Sequence, residues 1–184
     1  MRIIAGSAKG RRFESPKGQD TRPTLDRVKE SLFGMLQFQM TGATVLDLFS
    51  GSGNLGLEAA SRGAKLVVCN DHDRACAALI RSNAEMLGLQ ENIRVMCLDY
   101  APALDQLHKD GVMFDIALLD APYASGLSEQ AAKQVLALGL IRPGGLIIIE
   151  HARKLLPILS ASSARQVDQR FYGDLGITTW ERVL

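Results

Sequence analysis

Val45-Leu46-Asp47-Leu48-Phe49-Ser50-Gly51-Ser52-Gly53-Asn54 is the stretch on which the fold turns. Val45, Leu46, Leu48 and Phe49 form a near-continuous apolar run, the pattern of a strand buried on both faces by helices. Gly51, Gly53 and Gly56 then follow at G-x-G-x-x-G spacing, which lets the backbone turn tightly and approach a ligand closely. Helical pattern resumes at once in Leu55-Gly56-Leu57-Glu58-Ala59-Ala60, so the free N–H groups of the turn face whatever lies over that helix's N-terminus.

Two neighbours sharpen a fingerprint that is weak alone. Asp47 sits inside the strand end, where a nicotinamide-binding strand is ordinarily apolar up to its first glycine. A second apolar strand, Leu66-Val67-Val68-Cys69, ends at Asn70-Asp71 and places a carboxylate where ribose hydroxyls could donate to it. This pattern resembles the class I S-adenosylmethionine-dependent methyltransferases, with Asp47, Gly51 and Gly53 as the first motif and Asp71 as the second.

The chain has 184 residues, 47% of them hydrophobic and 22% charged, which fits one soluble globular domain with a small N-terminal appendage. We expect residues 1–40 to form a basic arm and helix, and residues 41–184 the main domain. No apolar run reaches the length of a membrane span and the first residues lack a signal peptide's apolar stretch, so a cytoplasmic protein is expected. Cys69, Cys76 and Cys97 read as reduced thiols, and His72, His108 and His151 lack ligand spacing, so no metal is expected. The net charge of +1 conceals an asymmetry: residues 1–30 carry eight basic and four acidic side chains, the rest thirteen and sixteen. A basic segment on a slightly acidic body points to a polyanion at one end, with Arg2, Lys9, Arg11, Arg12, Lys17 and Arg27 as its candidate contacts.

Gly6, Gly10, Pro16 and Gly18 punctuate the first 20 residues and favour a hairpin or extended arm. A helix follows on Leu25, Val28, Leu32 and Leu36, with Thr24 as its N-cap. Further expected elements are a helix from Asp73 to Leu87 closed by Gly88, a strand 93–98, a strand 114–119, a helix near 128–138 and a strand 146–150 entered through Pro143-Gly144-Gly145. Residues 164–172 and 177–183 read as a closing hairpin. The fold class is α/β: a doubly wound, Rossmann-like, mostly parallel sheet with a C-terminal antiparallel hairpin and a small N-terminal extension.

Asp47, Asp71, Asp99 and Asp120 fall at the ends of successive expected strands, so a parallel sheet would bring them to one rim, facing a cationic, hydroxyl-bearing ligand such as S-adenosylmethionine. After the last comes Asp120-Ala121-Pro122-Tyr123, which looks like the Asp/Asn-Pro-Pro-Tyr/Phe motif of methyltransferases acting on exocyclic base nitrogens. Hydrogen bonds from such an amine to a carboxylate and a backbone carbonyl favour a more tetrahedral, nucleophilic nitrogen, and the aromatic ring stacks on the flipped base. Ala121 replaces the first proline of that motif; if its N–H is unbonded, a proline there should stabilise the loop.

Arg2-Ile3-Ile4-Ala5-Gly6, Lys9-Gly10-Arg11-Arg12, Thr21-Arg22-Pro23-Thr24 and Arg27-Val28-Lys29-Glu30-Ser31-Leu32-Phe33 resemble the bacterial RsmD family of small-subunit ribosomal RNA guanine-N2 methyltransferases. The resemblance runs on through Leu55–Ala59 to Tyr172-Gly173-Asp174. It implies methyl transfer from S-adenosylmethionine to N2 of a guanine in 16S rRNA, guanine 966, on a small subunit or late assembly intermediate, by a monomer. It assigns catalysis to Asp120, Ala121, Pro122 and Tyr123. Cofactor contacts fall to Asp47, Phe49, Gly51, Ser52, Gly53, Asp71, His72, Asp99, Tyr100 and Asp120, with Arg22 and Thr24 near the methionine end. An adenine-N6 methyltransferase would use the same loop but needs a recognition domain for which there is no room. A nicotinamide oxidoreductase leaves the Asp120–Tyr123 loop and basic arm idle, and a silent RNA-binding module has only Ala121 in its favour.

Overall fold

The computed structural model describes residues 1–15, 23–159 and 162–183, and the chain separates into two compact units, Met1–Leu98 and Asp99–Leu184. The expected sites Lys17 and Arg22 lie outside the described residues, as does the side chain of Thr24.

In the first unit, residues 1–15 double back on themselves. Arg2 and Arg12 form an antiparallel bridge, and Ile3 N–H donates to the Arg11 carbonyl at 2.9 Å. Ile3, Ala8 and Phe13 bury against the unit, so the arm is anchored by its own small apolar set. Helix α1 (Pro23–Met35) begins one residue before Thr24, which therefore lies inside the helix instead of capping it. Proline is favoured at a helix's first position because the N–H it lacks has no partner there anyway. Strands β1 (Thr44–Asp47), β2 (Leu66–Asn70) and β3 (Ile93–Met96) pair in parallel in the order β3-β2-β1, with Asp47 opposite Cys69 and Asn70 opposite Met96. Helices α2 (Asn54–Ser61) and α3 (Arg74–Leu87) form the crossovers. Gly88 closes α3 at φ 72°, as expected, and Asp73 stands just before the helix as its N-cap, its side chain accepting from the Ala75 N–H at 2.7 Å. Strand β3 stops at Met96, two residues early, because the Asn70 amide takes over beyond it. Its Nδ2 donates to the Leu98 carbonyl at 3.0 Å and its Oδ1 accepts from the Leu98 N–H.

The second unit comprises α4 (Tyr100–Lys109), β4 (Phe114–Leu119), α5 (Leu127–Ala137), β5 (Ile141–Ala152), β6 (Ala164–Tyr172) and β7 (Leu175–Arg182). Strands β4 and β5 are parallel; β5 pairs antiparallel with β7, and β7 with β6. β5 begins five residues earlier than expected, running through Pro143-Gly144-Gly145. Its register against β4 jumps from Phe114–Ile141 to Ile116–Leu146, and such an irregularity accommodates a proline that cannot serve a regular ladder. All three cysteines are free thiols, and no helix among the described residues is long and apolar enough to cross a membrane.

Candidate active site

In the first unit the glycine turn is built from below. Gly51 and Gly53 take φ of 54° and 84°, left-handed values that favour glycine. Gly56 is required for a different reason: a Cβ there would lie 2.4 Å from Cys69 Sγ, so only glycine lets α2 pack this closely on the sheet. Asp47 is fully buried beneath the turn, and its Oδ2 accepts from the Gly56 N–H at 2.8 Å. Burial pushes its carboxyl up to about 7, against the hydrogen bond from Gly56, which favours the charged form. Asp71 sits at the end of β2 and ties the turn to the next helix, with Oδ2 accepting from Gly51 N–H at 2.9 Å and Oδ1 from Asp73 N–H at 2.9 Å. His72 is exposed beside it, Nδ1 lying 3.4 Å from Asp71 Oδ1. Phe49 is half-buried, while Ser52 is buried and directs its hydroxyl to the Met1 sulfur at 3.2 Å.

The arm is fastened to this turn by polar residues that periodicity alone does not single out. Glu58 on α2 is fully buried. It accepts from the N–H groups of Ile4 and Ala5 at 2.8 and 3.0 Å and from Arg62 Nε at 2.7 Å, and Lys29 Nζ lies 3.4 Å away. Lys29 is equally buried and donates to the Arg2 carbonyl at 2.7 Å and Asn54 Oδ1 at 2.9 Å. Burial lowers its ammonium from the ordinary lysine value, and Glu58 pulls the other way. The Asn83 amide, also buried, donates to the carbonyls of Glu14 and Ser52 at 3.0 and 3.1 Å and accepts from the Glu14 N–H. The only sequence signal for these three is a polar group on an otherwise apolar helix face.

Lys29 is therefore a core residue and does not belong to the basic surface of the first 30 residues. Arg11 has a structural task as well: its guanidinium donates to the carbonyls of Leu87, at 2.7 Å, and Met86, ending α3 where cations suit the helix dipole. Lys9, Arg12 and Arg27 are exposed, and Arg2 is exposed with its Nε 3.0 Å from Asp26. Met1, Arg2, Arg12 and Asp26 line a cleft of about 270 Å³.

In the second unit Asp99 takes the N-cap position of α4 without a side-chain capping bond; its carboxylate is exposed and has no hydrogen-bond partner among the described residues. Tyr100 follows, its hydroxyl 3.3 Å from Gln130 Oε1. Asp120 is half-buried at the end of β4. Beyond it Ala121 is buried and its N–H donates to Ser128 Oγ at 3.0 Å, while the Ser128 hydroxyl donates to the Leu119 carbonyl at 3.3 Å. Pro122 holds φ −51° ahead of the short 3-10 turn Tyr123–Ser125. The Tyr123 ring is 40% exposed and its hydroxyl donates to Glu150 Oε1 at 2.7 Å. Burial, then the neighbouring carboxylate, push that hydroxyl well above the usual tyrosine value. Burial also raises Glu150, which the Tyr123 hydrogen bond partly offsets. Ala121, Pro122, Tyr123, Glu150, Leu155 and Leu156 are among the walls of a cavity of about 300 Å³, wide enough for one aromatic base. Sequence reasoning reached the loop but missed Ser128 and Glu150, which have no motif of their own. No metal-binding cluster occurs among the described residues.

Residues 1–181 match the family model described as "Conserved hypothetical protein 95". A Bacillus subtilis protein named "Putative rRNA methyltransferase YlbH" is 34% identical over 99% of both chains. "Ribosomal RNA small subunit methyltransferase D" of Escherichia coli K12 is 35% identical over 82% of this chain and 74% of its own. Among solved structures, "Putative methyltransferase yhhF" of Escherichia coli superposes with a TM-score of 0.86 at 29% identity, covering 100% of this chain and 98% of that one. The fold is thus the Rossmann-like α/β methyltransferase fold, mostly parallel with antiparallel C-terminal strands.

Proposed function

Because the chain belongs to the RsmD family, we propose that it methylates ribosomal RNA, transferring the methyl group of S-adenosylmethionine to N2 of a guanine in the small-subunit RNA, guanine 966 by resemblance. The observation that carries this reading is the Asp120–Tyr123 loop, which ends β4 on a base-sized cavity with a half-exposed aromatic ring in its wall. The residues present suit the cofactor. In the first unit the glycine turn would admit the close approach of the cofactor and Asp71 would take its ribose hydroxyls; in the second, Asp99 and Tyr100 are assigned to its adenine by resemblance. Asp47 acts from beneath, through the shape of the turn, and Phe49, Ser52 and His72 complete the surroundings. Arg22 and Thr24 are assigned to the methionine end.

S-adenosylmethionine supplies an electrophilic methyl group when bound. The chain's own residues do the rest. The Asp120 carboxylate and the Ala121 carbonyl accept from the target amine, which makes its lone pair more available, and Asp120 holds the proton that the nitrogen gives up. Tyr123 stacks on the flipped base. Residues 1–40 act as the RNA-binding arm through Arg2, Lys9, Arg12 and Arg27, with Lys17 assigned by resemblance and Arg11 supporting the arm's attachment. The substrate is the small subunit or a late assembly intermediate, and the enzyme works as a cytoplasmic monomer.

Mass mapping of methylated nucleosides in rRNA tests this. RNA from a strain lacking the gene should lose one N2-methylguanosine, restored by the intact gene and not by Asp120→Ala. An unchanged N2-methylguanosine map would refute the reading.

A further inference from the structure

Leu119 pairs with Ile149 in the parallel register of β4 and β5, strands that lie about 4.8 Å apart, so Asp120, the first residue beyond β4, follows alongside Glu150, which is still within β5. Both belong to the second unit, and Glu150 lines the same cavity as Ala121, Pro122 and Tyr123. Its Oε1 is taken by the Tyr123 hydroxyl at 2.7 Å. Oε2 has no hydrogen-bond partner among the described residues. A half-buried carboxylate in the cavity wall, with one oxygen held and the other without a partner among the described residues, can accept from a donor on the ligand.

Guanine offers one beside the reacting amine. Its N1–H lies on the Watson–Crick edge next to N2, so a base that presents its amine to Asp120 presents N1–H to Glu150 on the neighbouring strand. Adenine has a bare lone pair at N1, which would face a carboxylate without a proton between them. Resting on the proposed methylation of guanine N2, we infer that Glu150 is the residue that selects guanine, its free Oε2 accepting the N1–H while Tyr123 holds Oε1. Sites built around a required substrate donor reject analogues lacking it far more strongly than apolar pockets reject a change of shape.

The test uses the full-length enzyme on small subunits from a strain lacking the gene, and on subunits reconstituted with 2-aminopurine at the modified position. That analogue keeps the exocyclic amine and lacks N1–H. The wild-type product on natural subunits comes first: a methylated nucleoside other than N2-methylguanosine would overturn the functional reading itself, and this inference with it. Given that product, wild-type kcat/KM should fall by at least about 100-fold on 2-aminopurine. Glu150→Gln should lose roughly 10–100-fold on guanine, the worth of a charged hydrogen bond, with unchanged S-adenosylhomocysteine affinity. Its amide can donate to the bare N1, so the gap between the two bases should narrow. Tyr123→Phe should retain the gap. Wild-type enzyme that accepts 2-aminopurine as readily as guanine overturns the inference, whether or not any variant folds. So does a Glu150→Gln enzyme with wild-type kinetics, or one whose loss is matched by Tyr123→Phe with the gap intact, because Glu150 would then only anchor the tyrosine.

Discussion

Replacing Ala121 by proline restores the residue found in the Asp-Pro-Pro-Tyr pattern and should nonetheless damage this protein. A proline at a compatible position stabilises by about 0.4–1 kcal/mol by restricting the unfolded chain. Here, however, the Ala121 N–H is a buried donor to Ser128 Oγ at 3.0 Å. Proline deletes the donor and sets its ring carbon against that oxygen. Losing the partner of a buried polar group costs about 1–3 kcal/mol, so the expected balance is a net loss of roughly 1–2 kcal/mol. Ser128→Ala should cost a similar amount, since it leaves the same N–H unpaired. The double variant Ala121→Pro/Ser128→Ala removes donor and acceptor together and relieves the crowding. It should be more stable than either single variant, a coupling of at least about 1 kcal/mol measured by urea unfolding of all four proteins. Methyl transfer should follow stability, low in Ala121→Pro and recovered in the double variant. If Ala121→Pro alone is as stable as wild type or more so, the serine does not hold the loop and the reasoning fails.

Asp71→Ala removes a carboxylate that holds the glycine turn and, on the proposed reading, takes the ribose hydroxyls, so calorimetry with S-adenosylhomocysteine should show affinity weaker by about 1–3 kcal/mol; unchanged affinity would remove Asp71 from the site. Asp47, with its carboxyl raised to about 7 from 3.8, binds more protons folded than unfolded between those values, so stability should fall as pH rises through that window, by up to roughly 4 kcal/mol. Asp47→Asn keeps an acceptor for the Gly56 N–H and should flatten this slope in urea titrations from about pH 4 to pH 8; an identical slope in the variant would place the titration elsewhere. Neutralising Lys9 and Arg12 together should lower the salt dependence of small-subunit binding by roughly 0.7–0.9 per lost phosphate contact and leave S-adenosylhomocysteine affinity unchanged. An unaltered slope would move the RNA footprint off the arm.

Elements governed by chemistry a few residues wide were legible in the linear sequence. Strand β4 at Phe114–Leu119 and helix α3 with Gly88 after it are read from an apolar run and a closing glycine, which act locally. The glycine turn and the Asp120–Tyr123 loop were visible for the same reason, since each is a short contiguous pattern with its own backbone requirement. Three-dimensional packing decided what depends on partners far apart in the chain. Glu58 meets Ile4 and Lys29 across dozens of residues, Arg11 reaches Leu87, and these pairings turn three charges that look like surface into the fastening of the arm. β5 continues through Pro143-Gly144-Gly145 because its neighbours tolerate a register shift, which no local rule about proline foretells. Ser128 and Glu150 gain meaning only when α5 and β5 bring them to the loop, one to hold its backbone and the other to complete its cavity. A motif is stored in adjacent residues, whereas burial and the satisfaction of a buried polar group are properties of the folded neighbourhood, and the sequence states them only after the chain has closed on itself.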